Sequence, residues 1–141
     1  MSVPSLDELV TYFETITPQS VAEMGRYYTD DAYFKDPHNE VRRLADIQAV
    51  FARMFEQVNE PRFRITERVV QGGTVALAWE FTFRFRQLRR GETQVIRGMS
   101  LLKLAADGRV RFHRDYWDAA EELYEKLPLL GALMRGIKRA L

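Results

Sequence analysis

Apolar residues recur at helical spacing in the first part of the chain, and the period changes to two after position 60. The first helix is predicted by five such residues: Leu6, Leu9, Val10, Phe13 and Ile16. A stripe of this kind is typical of an amphipathic helix. Ser5 and Glu8 stand three residues apart at its start, which predicts a capping box in which the Glu8 side chain returns to the cap.

A second and a third helix are predicted before the strands begin. Pro18 suits the first position of the second helix, whose buried side would be formed by Val21, Met24 and Tyr28. The Asp30-Asp31 pair should end this helix, and a short strand should run from Ala32 to Asp36. The third helix has the clearest stripe, which consists of Ile47, Val50, Phe51, Met54, Phe55 and Val58. Asn59 to Pro61 should end it.

Alternation of apolar and polar residues then predicts four strands joined as an antiparallel meander. These strands cover residues 63–69, 75–86, 93–104 and 110–117. Gly72-Gly73, the polar loop from Gln87 to Glu92, and Ala106-Asp107-Gly108 supply the turns. Two further helices are predicted at the C-terminus, from Ala119 to Leu127 and from Leu129 to Leu141, and the last one is amphipathic.

This order of elements predicts one α+β domain that spans residues 1–141. Helices gathered on one face of an antiparallel sheet form a layered domain of this class. No internal repeat and no Pro- or Gly-rich linker divides the chain. A curved sheet that wraps around three N-terminal helices would enclose a pocket on its concave side.

Composition narrows the possible functions. The chain has 21 basic and 20 acidic residues, and this balance argues against a nucleic-acid binder, which usually needs a basic excess. Cysteine is absent and histidine occurs twice, so disulfides, thiol catalysis and a zinc site are not expected, and neither is a cofactor. Residues 1–10 lack the apolar core of a signal peptide, and no apolar run approaches the ~20 residues of a membrane span. A cytoplasmic protein is expected.

The segment from Phe112 to Asp118 is the strongest candidate for chemistry. On a strand, His113, Asp115 and Trp117 would share one face with Arg111. Burial of an imidazole and a carboxylate costs free energy unless both are hydrogen-bonded. Asp115 is therefore the predicted general base, and His113 would orient it or act as an acid. In the alternative interpretation, His113 and Asp115 only satisfy each other inside the core.

Aromatic residues alternate along the longest predicted strand. Trp79, Phe81 and Phe83 share one of its faces, and residues of this type are core residues by default in strands. They supply more apolar surface than the helices need, however, so they are predicted to line a pocket for a small hydrophobic ligand together with Trp117. Glu80 and Arg84 on the opposite face indicate contact with solvent or with another subunit.

The element order resembles that of the nuclear transport factor 2-like superfamily over nearly the whole chain, and so does the run from Asp30-Asp31-Ala32 to Asp36-Pro37. This resemblance implies a cone-shaped, cystatin-like barrel in which a curved sheet wraps around the N-terminal helices. The superfamily includes ketosteroid isomerases, SnoaL-like polyketide cyclases and limonene epoxide hydrolases, as well as members without catalytic activity.

Two motifs carry different implications for the site. In ketosteroid isomerases the base is an aspartate in an Asp-Pro step and a tyrosine of the first helix donates to the oxyanion, which implies these roles for Asp36 and Tyr12. The second donor of that family is a protonated aspartate, and its position is taken here by Ser100, whose hydroxyl can also donate.

The second motif resembles limonene epoxide hydrolases. Arg114-Asp115-Tyr116-Trp117-Asp118 is similar to a segment whose first aspartate activates water in that family, which implies a base at Asp115. The Arg-x-Asp pair that supplies the acid there corresponds to Phe81 and Phe83 in this chain. The chain therefore departs from that family at the proton donor.

Together these patterns predict a protein that binds a small apolar molecule. It is either a cofactor-free isomerase, cyclase or hydrolase with an aspartate base, or a non-catalytic module that binds a hydrophobic ligand or a protein. The predicted catalytic residues are Asp115, His113, Asp36 and Tyr12. The predicted substrate contacts are Trp79, Phe81, Phe83, Ser100 and Trp117. An open cavity with a free oxygen on Asp115 would favour the enzyme.

Two surface contacts complete the prediction. The resemblance implies a homodimer formed through the outer sheet face, and Phe112 and Tyr116 fit such an interface better than water. The amphipathic helix over 129–141 would act as a lid or bind a partner subunit. The alternative for this basic helix is contact with an anionic membrane surface.

Overall fold

The structure, a computed structural model, describes residues 4–87 and 90–141. This part of the chain contains four α-helices, two short 3-10 helices and six strands. The helices are α1 (Leu6–Glu14), α2 (Leu44–Gln57), α3 (Ala119–Glu122) and α4 (Pro128–Ala140). The strands are β1 (Tyr28–Lys35), β2 (Glu40–Val41), β3 (Val58–Gln71), β4 (Thr74–Phe85), β5 (Gln94–Leu104) and β6 (Val110–Tyr116). The predictions for residues 1–3 and for residues 88 and 89 of the polar loop lie outside the described residues.

The start of α1 follows the predicted cap only in part. The Ser5 side chain accepts a hydrogen bond from the backbone N–H of Glu8 at 3.1 Å. The Glu8 carboxylate does not return to the cap, because it pairs with the Arg26 guanidinium at 3.0 Å. Leu9, Val10 and Phe13 of α1 are buried, as its stripe predicts.

The predicted second helix is wrong in type and in extent. Residues Ser20–Arg26 form a 3-10 helix, and Tyr28 already belongs to β1. The backbone carbonyl of Tyr27 accepts from the N–H of Val110 at 2.7 Å, so pairing with β6 extends the chain before another helical turn can form. Asp30 and Asp31 lie inside this strand.

The junction of α2 and β3 also differs from the prediction. Ile47 and Phe51 of α2 are buried, as predicted. The stretch from Asn59 to Pro61 ends the helix but belongs to β3, which begins at Val58. Its pairing with β4 is irregular between Asn59 and Arg62, and Glu60 has a φ of 51°. Such an irregularity accommodates a proline in a strand.

The six strands form one sheet in the order β2-β1-β6-β5-β4-β3. Strands β3 to β6 form the predicted antiparallel meander, whereas β1 runs parallel to β6. The sheet is curved, and the predicted α+β class is confirmed. The main core joins apolar residues of α1, the 3-10 helix and α2 to the inner faces of β1, β4, β5 and β6.

A register shift in β6 decides which residues face inward. The pairing of β5 with β6 shifts between Lys103 and Leu104, which pair with Phe112 and Val110. Val110 is consequently buried, although strict alternation placed it on the outer face, and Arg111 is exposed. His113, two residues further on, is buried.

The C-terminal segment lies at the edge of the domain. The predicted helix from Ala119 to Leu127 is divided into α3 and a second 3-10 helix, Tyr124–Lys126. α4 packs mainly against this 3-10 helix, and its side chains Leu129, Leu133 and Ile137 are exposed. Within the described residues, no helix is long and apolar enough to cross a membrane.

Candidate functional site

Strand pairing brings the polar side chains of the site together. Ser100 on β5 is the direct register partner of Asp115 on β6, and Leu102 is the partner of His113. The Ser100 hydroxyl donates to Oδ1 of Asp115 at 2.5 Å. Nε2 of His113 lies 2.6 Å from the same oxygen. One carboxylate oxygen therefore receives two hydrogen bonds from the inner face of the sheet.

The direction of the Ser100 hydrogen bond follows from its other neighbour. The indole N–H of Trp79 donates to the Ser100 oxygen at 2.9 Å. An indole nitrogen can only donate, so Ser100 must accept there and its single proton is left for Asp115. Trp79 occupies this place because Gly98 has no side chain, as a Cβ at position 98 would lie 2.6 Å from the indole ring.

The second oxygen of Asp115 is free. Among residues 4–87 and 90–141, no backbone or side-chain group donates to Oδ2. The side chain of Asp115 is 15% exposed, and it lines a cavity. No arginine pairs with Asp115 in the described part of the chain, and its contact with His113 uses Oδ1 only.

Tyr28 is a site residue that the sequence analysis did not find. Its hydroxyl lies 2.6 Å from Nδ1 of His113, and its side chain is fully buried. Burial, followed by the negative charge of Asp115, raises the pKa of Tyr28 well above its ordinary value, so the hydroxyl keeps its proton at neutral pH. The tyrosine was assigned to a helix stripe, and only the pairing of β1 with β6 brings it to His113.

A small inner chamber adjoins this network. Its lining consists of Phe13, Phe51, Phe63, Ile65, Leu77, Trp79, Ser100, His113 and Asp115. The space open to the centre of a water-sized sphere is about 20 Å³, and roughly 10–15 Å³ suffices for one water molecule. The chamber therefore has room for about one water beside the Asp115 carboxylate.

A larger outer pocket opens beyond the inner chamber. By the same measure its volume is about 370 Å³, which falls within the range of roughly 300–1,000 Å³ that is common for small-molecule sites. Trp79, Phe81, Phe83 and Trp117 line it, as does Asp115, whereas Ser100 lines only the inner chamber. Aromatic and aliphatic side chains from α2 and β3 complete the wall: Val50, Phe51, Met54, Val58 and Phe63.

Negative charge predominates among the side chains that line the outer pocket. Asp36 and Asp115 are its acidic lining residues, and no lysine or arginine lines it among the residues that the structure describes. Such a wall disfavours an anionic ligand, because a second negative charge would be brought close to carboxylates in an apolar surrounding.

Asp36 is placed at the mouth of the outer pocket, where its carboxylate holds a turn. Oδ1 accepts from the backbone N–H groups of His38 and Asn39, each at 2.7 Å. The Asn39 side-chain amide adds bonds of 3.0 and 3.1 Å to the two oxygens. Both oxygens are therefore occupied, in contrast to those of Asp115.

Tyr12 is not brought to the site. Its hydroxyl donates to the backbone carbonyl of Ser20 at 2.7 Å, and its ring stacks on Tyr27 with centroids 4.3 Å apart. It lines a separate surface depression that includes Glu23. Burial, and then the charge of Glu23, raise the pKa of Tyr12 to about 12. The structure thus corrects the implied role of Tyr12 as a donor beside the base.

The segment that follows β6 contacts one wall of the outer pocket. Nε2 of His38 and the hydroxyl of Tyr124 lie 2.6 Å apart, and the ring of His38 meets Trp117 edge-on at 5.6 Å. Leu123 also lines the pocket. Across residues 4–87 and 90–141, no three His, Cys, Asp or Glu side chains converge into a group that could hold a metal ion.

Comparison with known proteins supports the architecture. The family description "SnoaL-like domain" matches residues 9–113 of this chain. That range includes Ser100 and His113 and ends two residues before Asp115. No curated protein matches the sequence.

Several solved structures share the fold. A Catenulispora acidiphila protein with a ketosteroid isomerase-like fold, solved with trimethylamine, is 13% identical, with a TM-score of 0.70 over 87% of this chain and 92% of that one. A Shewanella putrefaciens protein, proposed to be a SnoaL-like polyketide cyclase, is 21% identical, with a TM-score of 0.66 over 82% and 92%. An LEH-like epoxide hydrolase from M. tuberculosis is 12% identical, with a TM-score of 0.67 over 96% and 91%. At these identities the likeness establishes the fold alone.

Proposed function

This chain belongs to the SnoaL-like domain family, and we propose that it binds a neutral, mostly apolar small molecule from which Asp115 removes a proton as general base. The observation that carries this proposal is the asymmetry of the carboxylate. Oδ1 is held by Ser100 and His113, whereas Oδ2 has no donor among the described residues, and the Asp115 side chain lines the outer pocket. A base needs a fixed orientation and an unoccupied acceptor atom within reach of the proton.

The preferred reaction is proton abstraction next to a carbonyl group, without a cofactor. The outer pocket supplies the apolar wall, and Gln57 lines it with a side-chain amide that is unpaired within the described part of the chain. We assign this amide to the substrate carbonyl, because a hydrogen bond to that oxygen stabilises the charge that develops when the proton leaves.

Water activation is the second candidate reaction. The inner chamber has room for about one water molecule beside Asp115, and a water held there could pass its proton to the carboxylate as it attacks a bound substrate. The LEH-like epoxide hydrolase from M. tuberculosis has the same fold. This chain carries Phe81 and Phe83 where limonene epoxide hydrolases place their acid, so the substrate would need no strong proton donor.

A non-catalytic binding module remains the rival class. The donors nearest Asp115 are already engaged, since Trp79 donates to Ser100 and Ser100 donates to Asp115. A site without a free acid next to its base can still bind an apolar molecule. An enzyme and a binding module would therefore bind the same kind of ligand, but only the enzyme would convert it.

Binding and turnover can be measured separately. Both tryptophans of the chain, Trp79 and Trp117, line the outer pocket, so their fluorescence reports ligand entry directly. We expect neutral bicyclic ketones to quench this fluorescence and bicyclic carboxylates of the same size to leave it unchanged. Equal quenching by the carboxylates would contradict the proposed charge selectivity.

Turnover is tested with the same ketones in D₂O, by mass spectrometry of deuterium at the carbon next to the carbonyl. We expect Asp115→Asn to lower the exchange rate by about 10²–10⁴-fold, the usual contribution of a general base. Asp118→Asn is the matched control, because Asp118 only caps α3 by accepting from Glu121 N–H at 3.0 Å.

The exchange experiment also separates the three functions. Exchange that Asp115→Asn abolishes supports carbon-acid chemistry. Incorporation of oxygen from H₂¹⁸O into the acetate released from phenyl acetate, without ketone exchange, would favour water activation, because the phenolate leaving group needs no strong proton donor. Quenching without either reaction would favour the binding module.

We further propose that two copies of the chain associate through the outer sheet face. Met99 and Tyr116 are register partners there, and they are 43% and 48% exposed. Leu101 and Phe112 on the same face are only partly covered. Exposed apolar side chains that adjoin one another are typical of an interaction surface.

A further inference from the structure

We propose that Tyr28 is a positioning residue that, together with Asp115, fixes the tautomer of His113 and thereby helps to hold Asp115 in the orientation of a base. This inference rests on the proposed role of Asp115. The atoms involved form an unbroken chain in which Tyr28 Oη lies 2.6 Å from Nδ1 of His113 and Nε2 lies 2.6 Å from Oδ1 of Asp115. No other described residue makes a hydrogen bond to either ring nitrogen.

The hydrogen-bonding capacities of the three groups allow one arrangement that satisfies all of them. An ionised carboxylate can only accept, so Nε2 of His113 must carry a proton and donate it. In a neutral imidazole the other nitrogen then accepts, and Tyr28 donates to it. The Asp115 carboxylate and the Tyr28 hydroxyl therefore favour the same tautomer from the two ends of the ring, with the proton on Nε2.

A doubly protonated His113 fits the same place less well. Both ring nitrogens would then donate, and Tyr28 would have to accept, which leaves its own O–H without an acceptor among the described residues. Tyr28 is fully buried, so water cannot replace that acceptor. An unsatisfied buried donor is costly, and the geometry thus favours a neutral ring at this position.

Among the described residues, Tyr28 is the one that hydrogen-bonds to Nδ1 of His113. α1 presents Phe13, whose ring centroid is 5.9 Å from that of His113, and β1 presents Phe34 at 4.8 Å. Both rings are apolar and offer no hydrogen bond to the imidazole nitrogens. Apart from Asp115, Tyr28 is the titratable group that hydrogen-bonds to His113 among the residues that the structure describes.

Loss of the Tyr28 hydroxyl would remove one of the two contacts that favour this tautomer and would make a proton on Nδ1 less unfavourable. With the proton on Nδ1, the lone pair of Nε2 would face Oδ1 of Asp115, and two acceptors would repel each other at 2.6 Å. Asp115 would then lose one of the two donors that orient it. Ser100 would be its remaining anchor.

Histidine NMR tests this inference without any substrate. The chain has only two histidines, so ¹⁵N-histidine labelling gives two ring systems, and long-range ¹H–¹⁵N correlation spectra report the tautomer of each. We expect wild-type His113 to be neutral at pH 7 with its proton on Nε2. An imidazolium, or a neutral ring with its proton on Nδ1, would overturn the proposal.

Tyr28→Phe removes the hydroxyl and keeps the ring. We expect it to give His113 a population of the Nδ1-protonated or doubly protonated form, and we expect Tyr12→Phe to leave the His113 spectrum unchanged. Tyr12 is the matched control because it is also buried and its hydroxyl bonds to Ser20 instead. A Tyr28→Phe spectrum identical to that of the wild type would refute the proposal.

A second measurement serves if Tyr28→Phe does not fold. Biosynthetic 3-fluorotyrosine acidifies the phenol with little change of shape, so it should strengthen donation to His113 and move the Nδ1 resonance upfield. An unmoved Nδ1 resonance would contradict the inference.

Failure of the proposed function has a different signature. In that case Asp115→Asn leaves deuterium exchange unchanged while the tautomer of His113 still depends on Tyr28. If both proposals hold, we expect Tyr28→Phe to lower the exchange rate constant about tenfold with little change in KM.

Discussion

Asp115 and Asp36 show how the neighbours of a carboxylate decide its role at the residue scale. Both are aspartates at the outer pocket, and both match a base position of a resembling family. Asp36 has its two oxygens occupied by turn donors, whereas Oδ2 of Asp115 receives no hydrogen bond from the described part of the chain. The difference comes from position, because Asp36 begins a turn and Asp115 lies opposite Ser100 on a paired strand.

Tyr12→Phe should change the response of stability to alkaline pH. The pKa of Tyr12 is raised to about 12 in the folded protein from an ordinary value of 10.0. Between these values the unfolded chain loses the phenol proton while the folded chain keeps it, so stability falls as pH rises, by at most about 1.4 kcal/mol per pH unit for this one group. Burial raises the pKa of Tyr28 in the same direction.

Urea unfolding at pH 7 and at about pH 11.5 provides the measurement. At pH 7 the variant should be less stable by about 1 kcal/mol for the lost hydrogen bond. This deficit should shrink at the higher pH, because the unfolded wild type then loses the Tyr12 proton and the wild type is weakened, whereas the variant has no such group. A deficit that stays constant between the two pH values would contradict the assignment.

Gly98→Ala should disturb the site through Trp79. The added Cβ would lie 2.6 Å from the indole ring and 2.9 Å from the carbonyl oxygen of Tyr116. Overpacking of this kind costs typically 1–3 kcal/mol, and displacement of the indole would break its bond to Ser100. Gly136→Ala is the control, since nothing lies within 4 Å of a Cβ there and alanine favours a helix by about 1 kcal/mol over glycine. Equal stability of both variants in urea would show that Trp79 is not tightly packed on Gly98.

At the scale of elements, the residues at which helices and strands begin and end were harder to predict than whether a segment is a helix or a strand. The stripes of α1 and α2 and the alternation of β4 and β5 agree with the structure because burial of one face sets both patterns. The residues around Tyr28 were wrongly assigned to a helix, since the parallel pairing of β1 with β6 is a contact with a distant segment. The β6 bulge likewise reversed the predicted faces of Val110 and Arg111.

Removal of residues 128–141 should leave the domain folded and its pocket intact. α4 packs mainly on the second 3-10 helix, and no residue beyond Leu123 lines the outer pocket among the described residues. We expect the shortened chain to bind neutral ketones within twofold of the full chain, as measured by tryptophan quenching. A large loss of binding would show that α4 acts as a lid after all.

The same shortened chain tests contact with a membrane surface. Leu129, Leu133 and Ile137 are exposed on α4, but Lys138 pairs with Glu125 at 3.4 Å and Arg135 donates to the Glu125 carbonyl at 2.7 Å. Two of its cations are therefore engaged within the protein. Flotation with anionic vesicles should recover the full and shortened chains equally, and selective recovery of the full chain would favour the membrane hypothesis.

At the scale of the whole molecule, the two faces of the sheet separate binding from assembly. The concave face holds the pocket and Asp115, and the outer face carries Met99, Tyr116 and Phe112. A ligand and a second copy of the chain can therefore be accommodated at the same time.

Met99→Glu should weaken self-association. A charge in the middle of an apolar interface must be desolvated without a partner, so we expect sedimentation velocity to show a dimer for the wild type and a monomer for the variant. Leu133→Glu places the same charge on exposed α4 as a control and should remain dimeric. Dissociation by Leu133→Glu alone would move the interface to α4.

The sequence by itself determined the α+β class, the stripes that build α1 and α2, and the common face of His113 and Asp115, because the periods of helices and strands are local properties of the chain. Only the tertiary structure decided that Tyr28 meets His113 across 85 residues, that Ser100 lies opposite Asp115, and that Tyr12 turns away from the site. Contacts of this kind depend on strand order and register, and many distant residues set these together. The free oxygen of Asp115 is a product of that register.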